Sequence, residues 1–337
     1  MKKFLAVLTA LTLLITACAL TLTGCRNDAD TQGEKPSVVT TVFPLYDWVK
    51  NILGDEADRV GLTMLLDNGV DLHSYRPSVD DMVKISNCDL FLYVGGESDA
   101  WVADALKNPR NPNRKVLNLM ELLGDAVKNE EPVGGTGAHE EEHDHDHDHD
   151  HDHDHEHEDE KDEHVWLSLR NAMTVCRAVA EELSALDPES KDRYDNNLLS
   201  YTESLRRLDT EYREAVAAGK RKTLLFADRF PFRYLVDDYG LTYYAAFSGC
   251  SAETEASFET VTFLAGKVDE LDLPCVLTIE GSDHRIAETV VQNTKAKNQQ
   301  ILTMDSLQGT TSKDVADGAG YLSLMRKNLE VLKAALR

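Results

Sequence analysis

The sequence predicts an α/β protein of two lobes with largely parallel sheets. Two observations carry that expectation. β-branched runs alternate with helical patterns in both halves of the chain, which is the signature of strands joined by crossover helices. Between the halves, a helical pattern from about Glu189 to Ala218 is long enough to span two lobes, roughly 45 Å at ~1.5 Å per residue.

The elements follow in order. SVVTTVF (37–43) reads as a strand, with a helix over 46–53 and a further strand over 60–66. Ser78 with Asp81 three residues on marks a capped helix start. DLFLYV (89–94) is a buried strand, followed by Gly95-Gly96 and a helix from about Asp99. A short strand is expected at 115–117, then a loop from about 125 to 163, and helix again near Ser168. In the long helix, Tyr194, Leu198, Tyr201, Leu205, Leu208, Tyr212 and Ala215 repeat at alternating four- and three-residue steps, one apolar stripe on a charged rod. The second half gives strands at 223–227, 242–247, 275–279 and 300–304. Helices are expected between them, near 258–271 and 284–293, and one covers about 312–336 at the end.

The first 25 residues stand apart. Lys2 and Lys3 precede an almost unbroken apolar run from Phe4 to Leu22, which reads as a secretory signal rather than as part of the fold. It closes on Leu22-Thr23-Gly24-Cys25, a pattern that resembles a bacterial lipobox, so Cys25 is the expected lipidated residue. The chain then turns polar at once. The expected organisation is a lipoprotein signal at 1–25, a linker at 26–36, a first α/β lobe at 37–188, a connecting helix at 189–219 and a second lobe at 220–337. The location is therefore extracytoplasmic, with the lipid holding the chain on the outer face of the cytoplasmic membrane.

The formal net charge is −25 over 337 residues. Much of it lies between His139 and His164, where ten histidines alternate with 15 acids and the only basic side chain besides histidine is Lys161. No apolar residue is present there, so the stretch cannot form a core. Neutral imidazole and carboxylate both ligate zinc. His139, His143, His145, His147, His149, His151, His153, His155 and His157 therefore form an auxiliary metal-collecting loop. His139-Glu140-Glu141-Glu142-His143 matches the H-E-x-x-H protease pattern, but glycines precede it and charge follows, so the ordered helix that chemistry needs is missing. The absence of any Lys/Arg-rich block gives no reason to expect nucleic acid as a partner.

A second set of candidate ligands lies where α/β sheets place their sites, beyond the carboxyl ends of strands. It comprises His73 and His164 in the first half, and Asp228, Glu280 and Asp305 directly after strands in the second. Two imidazoles with one or two carboxylates suit Zn²⁺, and Mn²⁺ less selectively. Cys88, Cys176 and Cys275 lie in apolar patterns and read as core residues. A Cys250–Cys275 bridge is compatible with an extracytoplasmic chain, though the sequence does not establish it.

Over residues 36–337 the chain resembles the zinc and manganese solute-binding lipoproteins of bacterial ABC importers. The resemblance rests on GVDLHSYRPSVDDM around His73, CDLFLYVGG, the acidic histidine-rich loop, EHVWLSLRNA around His164, LDPESKDRYDNN, YLVDDYGL and TMDSL. It implies two lobes joined by one long rigid helix and metal bound in the cleft between them. It also implies His73 and His164 as ligands and Asp305 as the last one. The third ligand departs from the pattern: in FADRFPFRYLVDDYGL the usual register falls on Arg229, which cannot bind a cation. Asp228 is the first choice in its place, with Glu280 as the substitute.

The function so implied is capture of Zn²⁺ and delivery to an ABC-type permease, by a non-enzymatic and monomeric protein. Alternatives are a manganese or nickel binding protein, a surface zinc buffer or adhesin, and a zinc metallohydrolase. The chain has no P-loop, so it supplies no ATP hydrolysis.

Overall fold

A computed structural model describes residues 35–131, 160–251 and 255–337. The expected leader at 1–25, Cys25, and the tract histidines from His139 to His157 lie outside these residues.

Each half builds one four-stranded parallel sheet with the same topology. In the first, β1 (Ser37–Thr40), β2 (Gly61–Met64), β3 (Leu90–Tyr93) and β4 (Lys115–Asn118) lie in the order β2-β1-β3-β4. In the second, β5 (Thr223–Phe230), β6 (Thr242–Ser248), β7 (Cys275–Ile279) and β8 (Gln300–Met304) repeat it as β6-β5-β7-β8. All pairings are parallel. In both sheets, therefore, every strand points its carboxyl end to the same edge, where binding residues belong.

The first-half helices are α1 (Phe43–Leu53), α2 (Val79–Asn87), α3 (Val102–Ala105) and α4 (Leu119–Leu123). Ser78 and Asp81 form the expected capping box on α2. The helix expected from Asp99 is a single turn. Asp99 itself is buried, and its carboxylate accepts the N–H groups of Val94 and Gly95 at 3.0 Å each, tying down the loop after β3. The loop expected over 125–163 is structured at both ends, where Asn129 and Lys161 form an antiparallel bridge.

α5 (Leu169–Leu186), capped by Ser168, leads into the long helix α6 (Lys191–Ala218). Its 28 residues span about 42 Å at ~1.5 Å each. Tyr194, Tyr201, Leu205, Leu208 and Tyr212 are buried as the stripe requires, with Val216 replacing Ala215 at its end. The helix packs against α1 and α5 on one side. On the other it meets the last helix, where the Tyr212 hydroxyl donates to the carbonyl of Met325 at 2.6 Å.

The second half continues with α7 (Arg233–Tyr239), α8 (Phe258–Glu270) and α9 (Arg285–Asn293). The expected final helix is broken into α10 (Ser312–Ala316) and α11 (Tyr321–Ala335). Gly318, at φ +102, takes a backbone conformation that breaks the rod and lets α11 turn back onto α1. Cys88, Cys176 and Cys275 are buried and reduced, and Cys250 is reduced as well, so no Cys250–Cys275 bridge forms.

The described residues from 36 onward pack as one unit. A continuous core runs from Val38 in β1 to Leu336, and a smaller one lies between the second sheet and α8 and α9. One buried carboxylate ties three helices together. Asp47 on α1 accepts from the backbone N–H of Tyr321 at 3.0 Å and from Asn51 at 2.9 Å, and it faces the Tyr201 hydroxyl of α6 at 3.4 Å. Removing it strands these donors out of reach of water. We expect Asp47→Ala to lower unfolding stability by about 1–3 kcal/mol, measured by urea denaturation. An unchanged midpoint would show that the junction is not a stability determinant.

Candidate metal centre

His73 sits in a one-turn 3₁₀ segment, Leu72–Ser74, beyond β2. Asp71 caps that turn by accepting the His73 backbone N–H at 2.9 Å. The imidazole Nδ1 lies 2.7 Å from Ser98 Oγ and 3.5 Å from Glu163 Oε2. His164 is fully buried at the start of a second such turn, Val165–Leu167. Asp162 holds it twice: one carboxylate oxygen accepts the His164 backbone N–H at 2.8 Å and faces ring Nδ1 at 3.0 Å. Both rings thus have Nδ1 occupied, and their Nε2 atoms stand 3.3 Å apart. Carboxylate support on the far nitrogen is the arrangement that orients imidazole for a metal.

The separation itself is informative. Two nitrogen ligands at ~2.0–2.1 Å from a tetrahedral zinc stand roughly 3.3–3.4 Å from each other. The electrostatics set the two rings apart. Burial, then the neighbouring His164, hold His73 down to about 4. For His164, burial works most strongly against charge, but Asp162, Asp71 and Glu163 together outweigh it and the net shift is upward. Glu163 is raised mainly by burial, and its Oε2 has no hydrogen-bond partner.

A third donor completes the cluster. Among the described residues, the ligand atoms of His73, His164 and Cys250 all lie within 4.8 Å of one another. His73 and Cys250 line a cavity of about 350 Å³ whose wall also carries Glu97, Glu130, Glu160 and Glu163. Cys250 follows β6, and its backbone N–H donates to Glu130 Oε1 at 2.9 Å. Burial and the nearby acids push its thiol well up. The sequence reading considered Cys250 only as a bridge candidate. Its signal was the position just beyond a strand's carboxyl end, the same rule that selected the other ligands.

Gly249 explains how this turn approaches so closely. A Cβ there would lie 2.8 Å from the carbonyl of Phe230 and 3.1 Å from His164 Cε1. Gly249→Val should therefore displace the His164 ring and weaken zinc binding about tenfold or more, since a misoriented ligand costs that much affinity. Competition titration with a chromophoric chelator measures it. Unchanged affinity would mean that the turn is free to move.

The sequence expectation placed Asp228, Glu280 and Asp305 with the two histidines, whereas among the described residues the three-donor cluster holds only His73, His164 and Cys250. Asp228 lies inside the irregular end of β5, where the register with β6 shifts between Phe226 and Arg229. Its oxygens accept the backbone N–H groups of Arg229 at 2.9 Å and Ile279 at 3.4 Å, and it lines a cavity of about 540 Å³ with Asp71 and Glu280. Arg229 reaches across to Asp71 at 2.8 Å. Glu280 is held by the backbone N–H of Ser306 at 2.7 Å and by the Ser306 hydroxyl. Asp305 accepts the Leu307 N–H at 2.8 Å. Burial, then the charge of Asp305, raises Glu280, and burial raises Asp305. This pair lines a separate cavity of about 450 Å³. His284 caps α9 with φ 62 and takes no part in the cluster.

Two parallel α/β sheets bridged by one helix, with paired imidazoles beyond strand ends, define a two-lobed α/β protein whose clustered donors could hold a metal ion. The family described as zinc-uptake complex component A, periplasmic, matches residues 38–335, and this chain belongs to that family. The zinc-binding lipoprotein AdcA of Streptococcus pneumoniae is 32% identical over 326 residues, which cover 95% of this chain and 60% of AdcA. The high-affinity zinc uptake system protein ZnuA of Bacillus subtilis is 29% identical over 327 residues, 96% of each chain. The Zn(II)-bound ZnuA-like domain of S. pneumoniae AdcA superposes with a TM-score of 0.67 at 26% identity, over 90% of this chain and 99% of that one. This chain spans about 60% of the length of the AdcA relatives.

Proposed function

We propose that this chain captures Zn²⁺ outside the cytoplasmic membrane and delivers it to an ABC-type permease. The observation that carries the proposal is the pair of Nε2 atoms 3.3 Å apart, each ring oriented from its other nitrogen. His73 and His164 are the imidazole ligands. Glu280 and Asp305 supply negative charge on the second lobe's side, which favours entry of a cation. The names of AdcA and ZnuA support zinc as the cargo. Lipidation at Cys25 would keep the chain at the membrane beside its permease. The family is that of a transport-complex component, which disfavours the metallohydrolase reading. Deleting the gene should impair growth under zinc limitation and spare it in excess zinc. The wild-type chain should restore growth and His164→Ala should not; equal rescue by both would overturn the assignment.

The His-rich tract serves as a collector with weak, exchangeable zinc. Its removal must stop short of residue 160, because Asp162 and Glu163 hold His164 and Ser98 in place. Deleting 139–157 should remove the weak zinc equivalents and keep the tight one. The weak equivalents should also be released as pH falls through ~6.5, since protonated imidazole is not a ligand. Equilibrium dialysis across that range checks both expectations. Loss of the tight equivalent on deletion would make the tract the primary site.

A further inference from the structure

We propose that Cys250 is the second lobe's ligand to the bound zinc, which makes the site a His₂Cys centre built from His73, His164 and a thiolate. The inference rests on the two-histidine reading above and adds the donor that reading leaves open.

Position is the first argument. His73 and His164 come from the first half of the chain and Cys250 from the turn after β6, yet their donor atoms lie within 4.8 Å. With zinc–nitrogen and zinc–sulfur bonds of ~2.0–2.1 and ~2.3 Å, a tetrahedral N–S edge is roughly 3.6 Å. A small inward movement of the sulfur therefore closes the centre. The turn that carries it is held at two points: Gly249 approaches His164 too closely to admit a Cβ freely, and the Cys250 N–H donates to Glu130.

Elimination is the second argument. Two second-half residues near this region are engaged with other partners. Asp228 accepts two backbone N–H groups, and Arg229 is cationic and paired with Asp71. Cys250 has no disulfide, and the other described cysteines, Cys88, Cys176 and Cys275, are buried in the core as free thiols. A thiol beside two oriented imidazoles is a donor set suited to zinc.

The chemistry balances simply. On binding, zinc replaces the thiol proton, which leaves to solvent, and a zinc–sulfur bond forms with no change of oxidation state. A soft thiolate also sets preference: it favours zinc and disfavours manganese, which prefers oxygen ligands. Cys250 would thereby be the residue that makes this site discriminate between the two cations.

Cobalt(II) provides a direct probe, because only a thiolate ligand gives a strong near-ultraviolet sulfur-to-cobalt charge-transfer band. The tract contains no cysteine, so cobalt bound there is silent in that region. The full chain loaded with one equivalent of Co²⁺ should show the band, and Cys250→Ser should abolish it. Zinc affinity in Cys250→Ser should fall roughly a hundredfold, at the upper end of the loss seen when a supporting partner is removed, while manganese affinity changes far less. Near-ultraviolet circular dichroism of the apo variant verifies folding, and Cys250→His should recover zinc affinity without the band. If the wild type shows no band while His73→Ala still abolishes tight zinc binding, the thiolate proposal fails and the histidine reading stands. If tight zinc binding survives both His73→Ala and His164→Ala, the histidine reading itself fails.

Discussion

Replacing His164 by alanine is expected to abolish tight zinc binding, and His73→Ala should do nearly as much. Each removes one of two donors that the fold has oriented at some cost. His164 is wholly buried, with Asp162 engaging both its backbone N–H and its ring. His73 is pinned by Asp71 and Ser98. Zinc bound through two imidazoles and further donors cannot recover a lost ligand from water without a large penalty. Changing even a supporting partner costs about 10–100-fold in affinity, so loss of a direct ligand should exceed that. Asp162→Ala should fall in the 10–100-fold range itself, because it frees the ring rather than removing it. Competition against a chelator of known affinity separates these cases. Equal, small effects for all three variants would contradict the assignment of ligands and supports.

The largest stability effect is expected at Trp166. This side chain is fully buried between the lobes, two residues from His164, and its ring packs edge-on against that imidazole with centroids 5.3 Å apart. Its indole N–H donates to the carbonyl of Ser306 at 2.9 Å, directly after β8 and Asp305. The Trp166 carbonyl in turn accepts the Tyr321 hydroxyl at 2.6 Å. Trp166→Ala should cost about 3–5 kcal/mol through the cavity it leaves, and should lower zinc affinity because His164 loses its wall. Trp166→Phe keeps most of the volume and loses one buried hydrogen bond, so about 1–3 kcal/mol is expected. Thermal and urea melts of both variants give the comparison. If the two substitutions destabilised equally, the cost would lie in the hydrogen bond rather than in packing.

The fold was legible because its signals were local and repeated. The β7 and β8 runs, CVLTI and QILTM, are short apolar stretches between polar flanks, and the structure keeps their bounds unchanged. The α2 start was visible in Ser78 and Asp81, whose pairing needs only four residues. The split of the last helix was marked by Gly318 and Gly320, but an apolar pattern resumes on the far side, and that pattern masked the break. Asp99 illustrates a different limit. Its sequence position suits a helix start, yet the carboxylate turns back to the loop after β3 because two buried N–H groups there need an acceptor.

Within the site, His73 and His164 were readable as candidates because each follows a recognisable segment boundary, and the structure brings their Nε2 atoms to 3.3 Å from each other. Asp228 sits where the β5 register shifts, so sequence alone could not show that it bonds the backbone while also lining a cavity with Asp71 and Glu280. Cys250 was not among the candidates because its nearness to His164 depends on Gly249 and on a turn between distant segments. Asp162 and Glu163 were grouped with the polar tract by composition. Burial and their contacts to His164 and Ser98 make them part of the centre instead.

The most direct measurement is a zinc titration of the chain lacking residues 139–157, followed by calorimetry and native mass spectrometry. One tight zinc ion per chain is predicted, and none when His164 is replaced by alanine in the same background. Absence of a tight ion in the shortened chain, or its persistence after His164→Ala, would contradict a centre built on His73 and His164.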